Sequence, residues 1–214
     1  MRLWETDPDV VGLSFHKALA GIAAQLLGVP SVNLWQDQAL YKEPGGLETT
    51  AHQDQPFWPI GEAPLISAWV PLNAVGLANG AMGYVPGSHL AGPLKVVDIT
   101  HASEPYDVLK DPRLNGEVLK MVPVNPGSVI WHHGFTVHAA AANTSDSVRR
   151  AFTVVYLSAG ATRTKAWPTF PLDRAAVGVG DLIEGAGMPR LWPPLATWPE
   201  PPAQTGALTG PQKG

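Results

Sequence analysis

The sequence predicts a mainly β protein, a sandwich or barrel of the jelly-roll type, with one helix flanking it at the N-terminal side. Two observations carry this. The 22 Gly and 22 Pro are spread along all 214 residues rather than gathered in a linker, and they cut the chain into the short segments that all-β folds require. Several of those segments are β-branched or aromatic with partial alternation, and they follow a single helical pattern.

The helix is predicted over 14–28, "SFHKALAGIAAQLLG". Ser14 is placed as its N-cap, Leu19, Ile22, Ala23 and Leu26 fall at helical spacing, and Gly28 followed by Pro30 stops it. Strands are predicted over 31–42, 65–72, 80–89, 118–124, 127–134 and 150–158, most of them bounded by Gly or Pro. Residues 91–117 read as a longer, more polar insertion. From about 187 the chain is Pro-rich and predicts an extended tail held on the surface by Trp192 and Trp198, then frayed. There is no internal repeat. The whole of 1–214 is expected to be one domain with its core over about 14–160, a length that suits a sizeable core.

Composition narrows the function classes. Hydrophobic residues make up 45% and charged residues 15%, the balance of a folded chain. The net charge is −4 and no Lys/Arg run occurs, which argues against nucleic acid as a partner. No apolar stretch reads as a bilayer span and the start lacks a signal-peptide pattern, so a cytoplasmic protein is expected, with no membrane partner. Zero cysteines leave no thiolates, so any metal must be held by His and carboxylate.

One stretch, "TTAHQDQPFW" at 49–58, places His52 and Asp54 two positions apart. Chance alone gives about 0.6 such pairs at this composition, so the pair carries little by itself. In a strand, however, i and i+2 share a face, and the two side chains would offer a nitrogen and a carboxylate oxygen to one point. A second histidine would complete a two-His-one-carboxylate facial triad, the donor set of non-haem Fe(II) oxygenases. The downstream choices are His89, His101, His132, His133 and His138. His89 reads as a turn residue and His101 as solvated. His132 and His133 are adjacent, so at most one of them points inward. His138 sits among small alanines, with Asn143 behind it and Arg149 eleven residues on, at the start of an apolar strand pattern. Arg149 could return a guanidinium to the metal's neighbourhood, where its fork suits a carboxylate.

These residues resemble the phytanoyl-CoA dioxygenase family of Fe(II)- and 2-oxoglutarate-dependent oxygenases, which includes ectoine hydroxylase. The matching stretches are "DQALYKEPGG" (37–46), "HQDQPFWP" (52–59), "LISAWVPLNAVGLANGAMGYVPGSHLAG" (65–92) and "NPGSVIWHHGFTVHAAAANTSDSVRRAF" (125–152). The resemblance implies a double-stranded β-helix, jelly-roll or cupin-like. It implies Fe(II) on His52, Asp54 and His138, with 2-oxoglutarate as cosubstrate and O2 as oxidant, and the far carboxylate of 2-oxoglutarate on Arg149. Gln36 and Trp69 match positions that line the cosubstrate pocket in relatives. The implied reaction is hydroxylation of a small or medium-sized organic molecule with release of succinate and CO2. A carboxylate at Asp54, where related halogenases carry a small residue, argues for hydroxylation over halogenation.

Two features depart from the family pattern. A hydroxyl residue often stands two positions after the distal histidine, where this chain has Ala140. Only 51 residues precede His52, fewer than relatives usually carry, so part of a substrate-covering region is expected to be missing. Gln55, Trp58 and Phe135 are candidate substrate contacts, with Phe57 and Trp131 flanking them. The rival readings are a metal-dependent cupin-like enzyme that does not use 2-oxoglutarate, and a non-catalytic binding protein on the same fold. The substrate's identity and the oligomeric state are not encoded in any motif.

Overall fold

The computed structural model describes residues 1–99 and 106–203. His101 and the end of the Pro-rich tail lie outside them.

Two antiparallel sheets face each other. The strands are β1 (Val32–Lys42), β2 (Thr49–His52), β3 (Leu65–Pro71), β4 (Met82–Tyr84), β5 (Lys120–Val122), β6 (Ile130–His133), β7 (His138–Ala140), β8 (Arg149–Ser158) and β9 (Arg190–Trp192). One sheet has the order β6-β3-β8-β1-β9 and the other β2-β7-β4-β5. This is the mainly β, two-sheet architecture of a double-stranded β-helix, with helices packed outside it. The long central pair is β1 with β8, running in register from Val32 opposite Ser158 to Lys42 opposite Arg149, with a bulge between Leu34 and Gln36. The bulge adds one residue and resets the facing. Beyond it Gln36, Gln38, Leu40 and Lys42 alternate onto the face that looks at the second sheet.

The helical start differs from the sequence reading. Two helices are present, α1 (Pro8–Ser14) and α2 (Lys17–Leu27). Ser14 ends the first instead of capping the second, because its hydroxyl is drawn inward to donate to Asp37 Oδ2 at 2.5 Å. Asp37 also accepts from the backbone N–H groups of Leu3 and Trp4, so this buried carboxylate on β1 anchors the N-terminal turn. Pro8–Leu27 does meet the length and mean hydropathy of a membrane span, contrary to the sequence reading. It is broken between Ser14 and Lys17, and Leu19, Ala20, Ala23 and Ala24 pack into the core against Val154, Tyr156 and Leu191.

The tail is less free than expected. β9 pairs with β1, and the Trp192 ring rests against Gly21 of α2, where a Cβ would approach it to 3.2 Å. Trp198 lies 6.0 Å from the Phe15 ring. The described part of the 91–117 insertion turns its apolar residues inward, burying Leu94, Val97, Val108 and Leu114 with Val85 and Val137.

Candidate functional site

The strand register itself builds the site. β2 and β7 are antiparallel neighbours in which His52 stands directly opposite His138, which brings the two rings to 4.4 Å between centroids. Asp54 follows two residues after His52. It is not on the strand: at φ −73°, ψ −49° it turns the chain into a short 3-10 helix over Gln55–Phe57. The turn, rather than strand alternation, swings the carboxylate back towards the histidines. Asp54 Oδ1 lies 3.6 Å from His52 Nε2 and 3.6 Å from His138 Nε2. One donor atom from each of the three residues falls within 4.8 Å of the others.

Both imidazoles are set for ligation by their backs. His52 Nδ1 donates to the Thr50 carbonyl at 2.7 Å and His138 Nδ1 to the Thr136 carbonyl at 3.0 Å. A carbonyl only accepts, so the proton of each ring sits on Nδ1 and the Nε2 lone pair is left facing Asp54. Electrostatics agree for His138 and Asp54. Burial, partly offset by Asp54, pushes the His138 pKa down to about 3, so that ring is neutral at physiological pH. Burial opposes ionisation of Asp54, but His138, His132 and His52 outweigh it and hold the carboxyl well below its usual range. For His52, burial is outweighed by Asp54 and the Thr50 carbonyl, and the pKa is raised. Two imidazole Nε2 atoms, each with its ring's Nδ1–H held by a carbonyl, and one carboxylate oxygen are a donor set that fits an iron ion with open positions opposite.

A cavity of about 310 Å³ opens from this triad and runs between the sheets. Ser67, Trp69, Arg149 and Thr153 line it from the first sheet, and Met82 and Ala140 from the second. Arg149 reaches the cavity from the sheet facing His138. Its strand β8 lies between β1 and β3, not beside β7, which carries His138. Arg149 is buried, its guanidinium lies over the Trp69 ring, and its Nε and Nη1 have no hydrogen-bond partner among the described residues. Trp69 Nε1 and Ser67 Oγ are likewise without partners. Orphaned buried donors on a cavity wall call for an acceptor, and a carboxylate is the group that satisfies a guanidinium fork. Arg150, the next residue, is exposed, as alternation demands.

The other predicted residues divide. Gln36 and Trp58 line the cavity, and Trp58 also packs on Trp35 at 5.8 Å. Gln55 does not line it. Its side chain is buried and its amide donates to the carbonyls of Gly61 and Ala63, so it braces the turn after Asp54. Phe135 is buried beside His133 at 5.6 Å, away from the cavity wall. Phe57 meets the His52 ring edge-on at 6.2 Å, and Trp131 packs against Tyr156. Asn143 closes the β7–β8 turn by donating to the Lys42 and Ser147 carbonyls. Lys42 lines the cavity with its ammonium group donating to the Leu47 and Ala141 carbonyls. At Ala140 the cavity wall has no hydroxyl.

Sequence reasoning did not single out His132. Alternation on β6 allowed at most one of His132 and His133 to face inward, and it is His132, 3.2 Å from Asp54 Oδ2. His133 faces away, its ring 5.6 Å from that of His89 and tilted to it.

Comparison with known proteins bears on this arrangement. The family model described as phytanoyl-CoA dioxygenase matches residues 1–151. A phytanoyl-CoA dioxygenase domain-containing protein 1 homolog from Caenorhabditis briggsae is 29% identical over 157 residues, covering 69% of this chain and 54% of its own. The chain thus spans about half the length of the curated relatives it matches. Among solved structures, SnoK, described as a non-heme alpha ketoglutarate dependent carbocyclase from nogalamycin biosynthesis, is 32% identical with a TM-score of 0.68 over 88% of this chain and 73% of that one. SnoN, described as an epimerase in complex with Fe3+, alpha ketoglutarate and nogalamycin RO, is 28% identical with a TM-score of 0.74 over 89% and 76%.

Proposed function

The chain belongs to the phytanoyl-CoA dioxygenase family, and from that premise we propose an Fe(II)- and 2-oxoglutarate-dependent dioxygenase. Its reaction is hydroxylation of a small or medium-sized organic molecule with release of succinate and CO2. The observation that carries the reading is the pairing of two features in one cavity. At one place His52, Asp54 and His138 present their donor atoms to a common point, and on the facing sheet Arg149 presents unbonded donors.

In this reading His52 and His138 hold the metal through Nε2 and Asp54 through Oδ1. Arg149 binds the far carboxylate of 2-oxoglutarate by its fork, with Trp69 Nε1 as a second donor, and Gln36 lines the same cavity from β1, opposite Val155 rather than Arg149. Bound iron and 2-oxoglutarate supply oxygen activation coupled to loss of CO2 from the cosubstrate. The protein's part is placement and exclusion of water. Trp58, Leu40 and Met82 form apolar stretches of the cavity wall. A cavity of about 310 Å³ held between the two sheets suits a small organic substrate better than a macromolecule.

A second outcome at the same centre has specific support. The carbocyclase and epimerase among similar structures are also alpha ketoglutarate dependent, so ring closure or inversion at carbon, without a hydroxyl in the product, fits the same residues.

The test is an anaerobic titration of the protein with Fe(II) and 2-oxoglutarate, followed by the weak visible charge-transfer band of the chelate. The band is expected in the wild type and absent in Asp54→Ala and His138→Ala. Metal binding with no response to 2-oxoglutarate would point instead to a cupin-like enzyme. No band and no metal binding in the wild type would sink the proposal. Succinate release in air over a substrate panel, with product masses, then separates oxygen insertion from ring closure or epimerisation.

A further inference from the structure

We propose that His132 is a positioning residue that holds Asp54 to a single ligating oxygen. The inference rests on the iron reading above and concerns a residue that neither the triad nor the cosubstrate pocket accounts for.

The two oxygens of Asp54 have different neighbours. Oδ1 is the one 3.6 Å from both ligand nitrogens. Oδ2 meets His132 Nε2 at 3.2 Å. The tautomer of His132 follows from its surroundings. The residue is buried, and its Nδ1 has no hydrogen-bond partner among the described residues. A proton on Nδ1 would be a buried donor without an acceptor, whereas a proton on Nε2 has the carboxylate in front of it. The Nε2–H therefore donates to Asp54 Oδ2. This is the reverse of His52 and His138, whose Nδ1–H groups face carbonyls. Two histidines present lone pairs and the third presents a proton.

The ring is fixed in that role. β6 pairs with β3 so that His132 stands opposite Ser67, a small side chain that leaves space for the imidazole. His138 lies 4.6 Å from it and Tyr84 5.4 Å, centroid to centroid, both at tilted angles, so the buried ring is packed against two neighbours that limit its rotation. A carboxylate with one oxygen tied in this way has only the other to give. That matters because a six-coordinate ion held by three protein atoms keeps three positions, and one held by both Asp54 oxygens keeps two. A chelating keto acid needs two positions and O2 needs another.

The test compares His132→Gln with His132→Met, which have similar length but differ in having an N–H donor at the tip. His132→Phe, which keeps an aromatic ring against His138 and Tyr84 but has no donor, serves as a third variant. Folding is checked by circular dichroism and melting. Each protein is loaded anaerobically with Co(II), whose visible spectrum reports coordination number, and titrated with 2-oxoglutarate. Expected for His132→Met and His132→Phe is an altered Co(II) spectrum and 2-oxoglutarate binding weaker by roughly 10–100-fold, the usual effect of removing a partner of a metal ligand. His132→Gln should recover most of both signals. Folded Met and Phe variants with wild-type spectra and affinity would overturn the inference, as would a Gln variant as impaired as Met. A wild type whose Co(II) signal ignores 2-oxoglutarate would overturn the cosubstrate reading first, and this inference with it.

Discussion

The Arg149 guanidinium lies over the indole of Trp69, 5.3 Å from its centroid, and keeps Nε and Nη1 unbonded on the cavity wall. The stack holds the charged plane in place and leaves its fork available. Replacing Arg149 by Ala should raise the KM for 2-oxoglutarate by about 10–100-fold, since a hydrogen bond to a charged group contributes about 1.5–3 kcal/mol. Co(II) affinity measured without cosubstrate should stay within about twofold, because the cavity separates Arg149 from the triad. Arg149→Lys should fall between the two, keeping the charge and losing the fork. Equal loss of metal and cosubstrate binding in Arg149→Ala would contradict this assignment.

Metal should stabilise the fold through the same three residues. At a free Co(II) concentration about 100 times its Kd, mass action adds about 2.7 kcal/mol. For a chain of this size that is a rise of roughly 5–10 °C in Tm. The rise should vanish in Asp54→Ala and be reversed by a chelator in the wild type. Differential scanning fluorimetry reads it directly, and an unchanged shift in Asp54→Ala would place the metal elsewhere.

Asp37 is expected to matter for folding and not for chemistry. It is fully buried and accepts from Leu3 N–H, Trp4 N–H and the Ser14 hydroxyl. Asp37→Ala strands those donors and should cost about 2–4 kcal/mol in urea unfolding. Asp37→Asn keeps one acceptor and should cost about half as much. A melting curve unchanged in Asp37→Ala would show that the N-terminal turn is held by packing alone.

Which parts were legible in the sequence follows from the range of the forces involved. The strands that became β1, β3 and β8 were readable because longer runs rich in aliphatic and aromatic residues, bounded by Gly or Pro, state their own preference. β2, β7 and β9 are three or four residues long and form only against partners far along the chain, so no local pattern marks them. Ser14 looked like an N-cap because its nearest partners in sequence are the free N–H groups of the helix that follows, while the partner that won, the Asp37 carboxylate, is 23 residues away. His52, Asp54 and His138 were legible as residue types at a spacing, helped by resemblance to a family. That His52 and His138 are cross-strand partners, and that Asp54 arrives by a turn, are properties of register and backbone that spacing does not carry. Gln55 and Phe135 were proposed as substrate contacts from adjacency to ligands. One residue along a tight turn or strand is enough to face a side chain into the protein instead of the cavity. The inward choice between His132 and His133 depended on the register of β6 against β3, which two adjacent histidines cannot reveal.

The metal-free protein should be most stable near the ordinary pKa of histidine, because its two ligand histidines are shifted in opposite directions. His138 is depressed to about 3 by burial. Below an unfolded value of about 6.5 the unfolded chain binds a proton that the folded chain refuses, so stability falls as pH drops from about 6.5 towards 3. Asp54, whose pKa is also lowered, adds to the loss at the acid end of that range. His52 is raised, despite burial, by Asp54 and the Thr50 carbonyl. Its contribution is present below about 6.5 and is lost as pH rises through its folded pKa. Each proton can tilt the curve by at most about 1.4 kcal/mol per pH unit. Urea unfolding of chelator-treated protein across the acid and neutral range should show this maximum. His138→Gln should flatten the acid side and His52→Gln the other. Bound metal requires both rings neutral, so loading with Co(II) should remove the alkaline loss and steepen the acid one. An acid limb of unchanged slope in His138→Gln would show that the buried ring does not resist protonation in the folded protein.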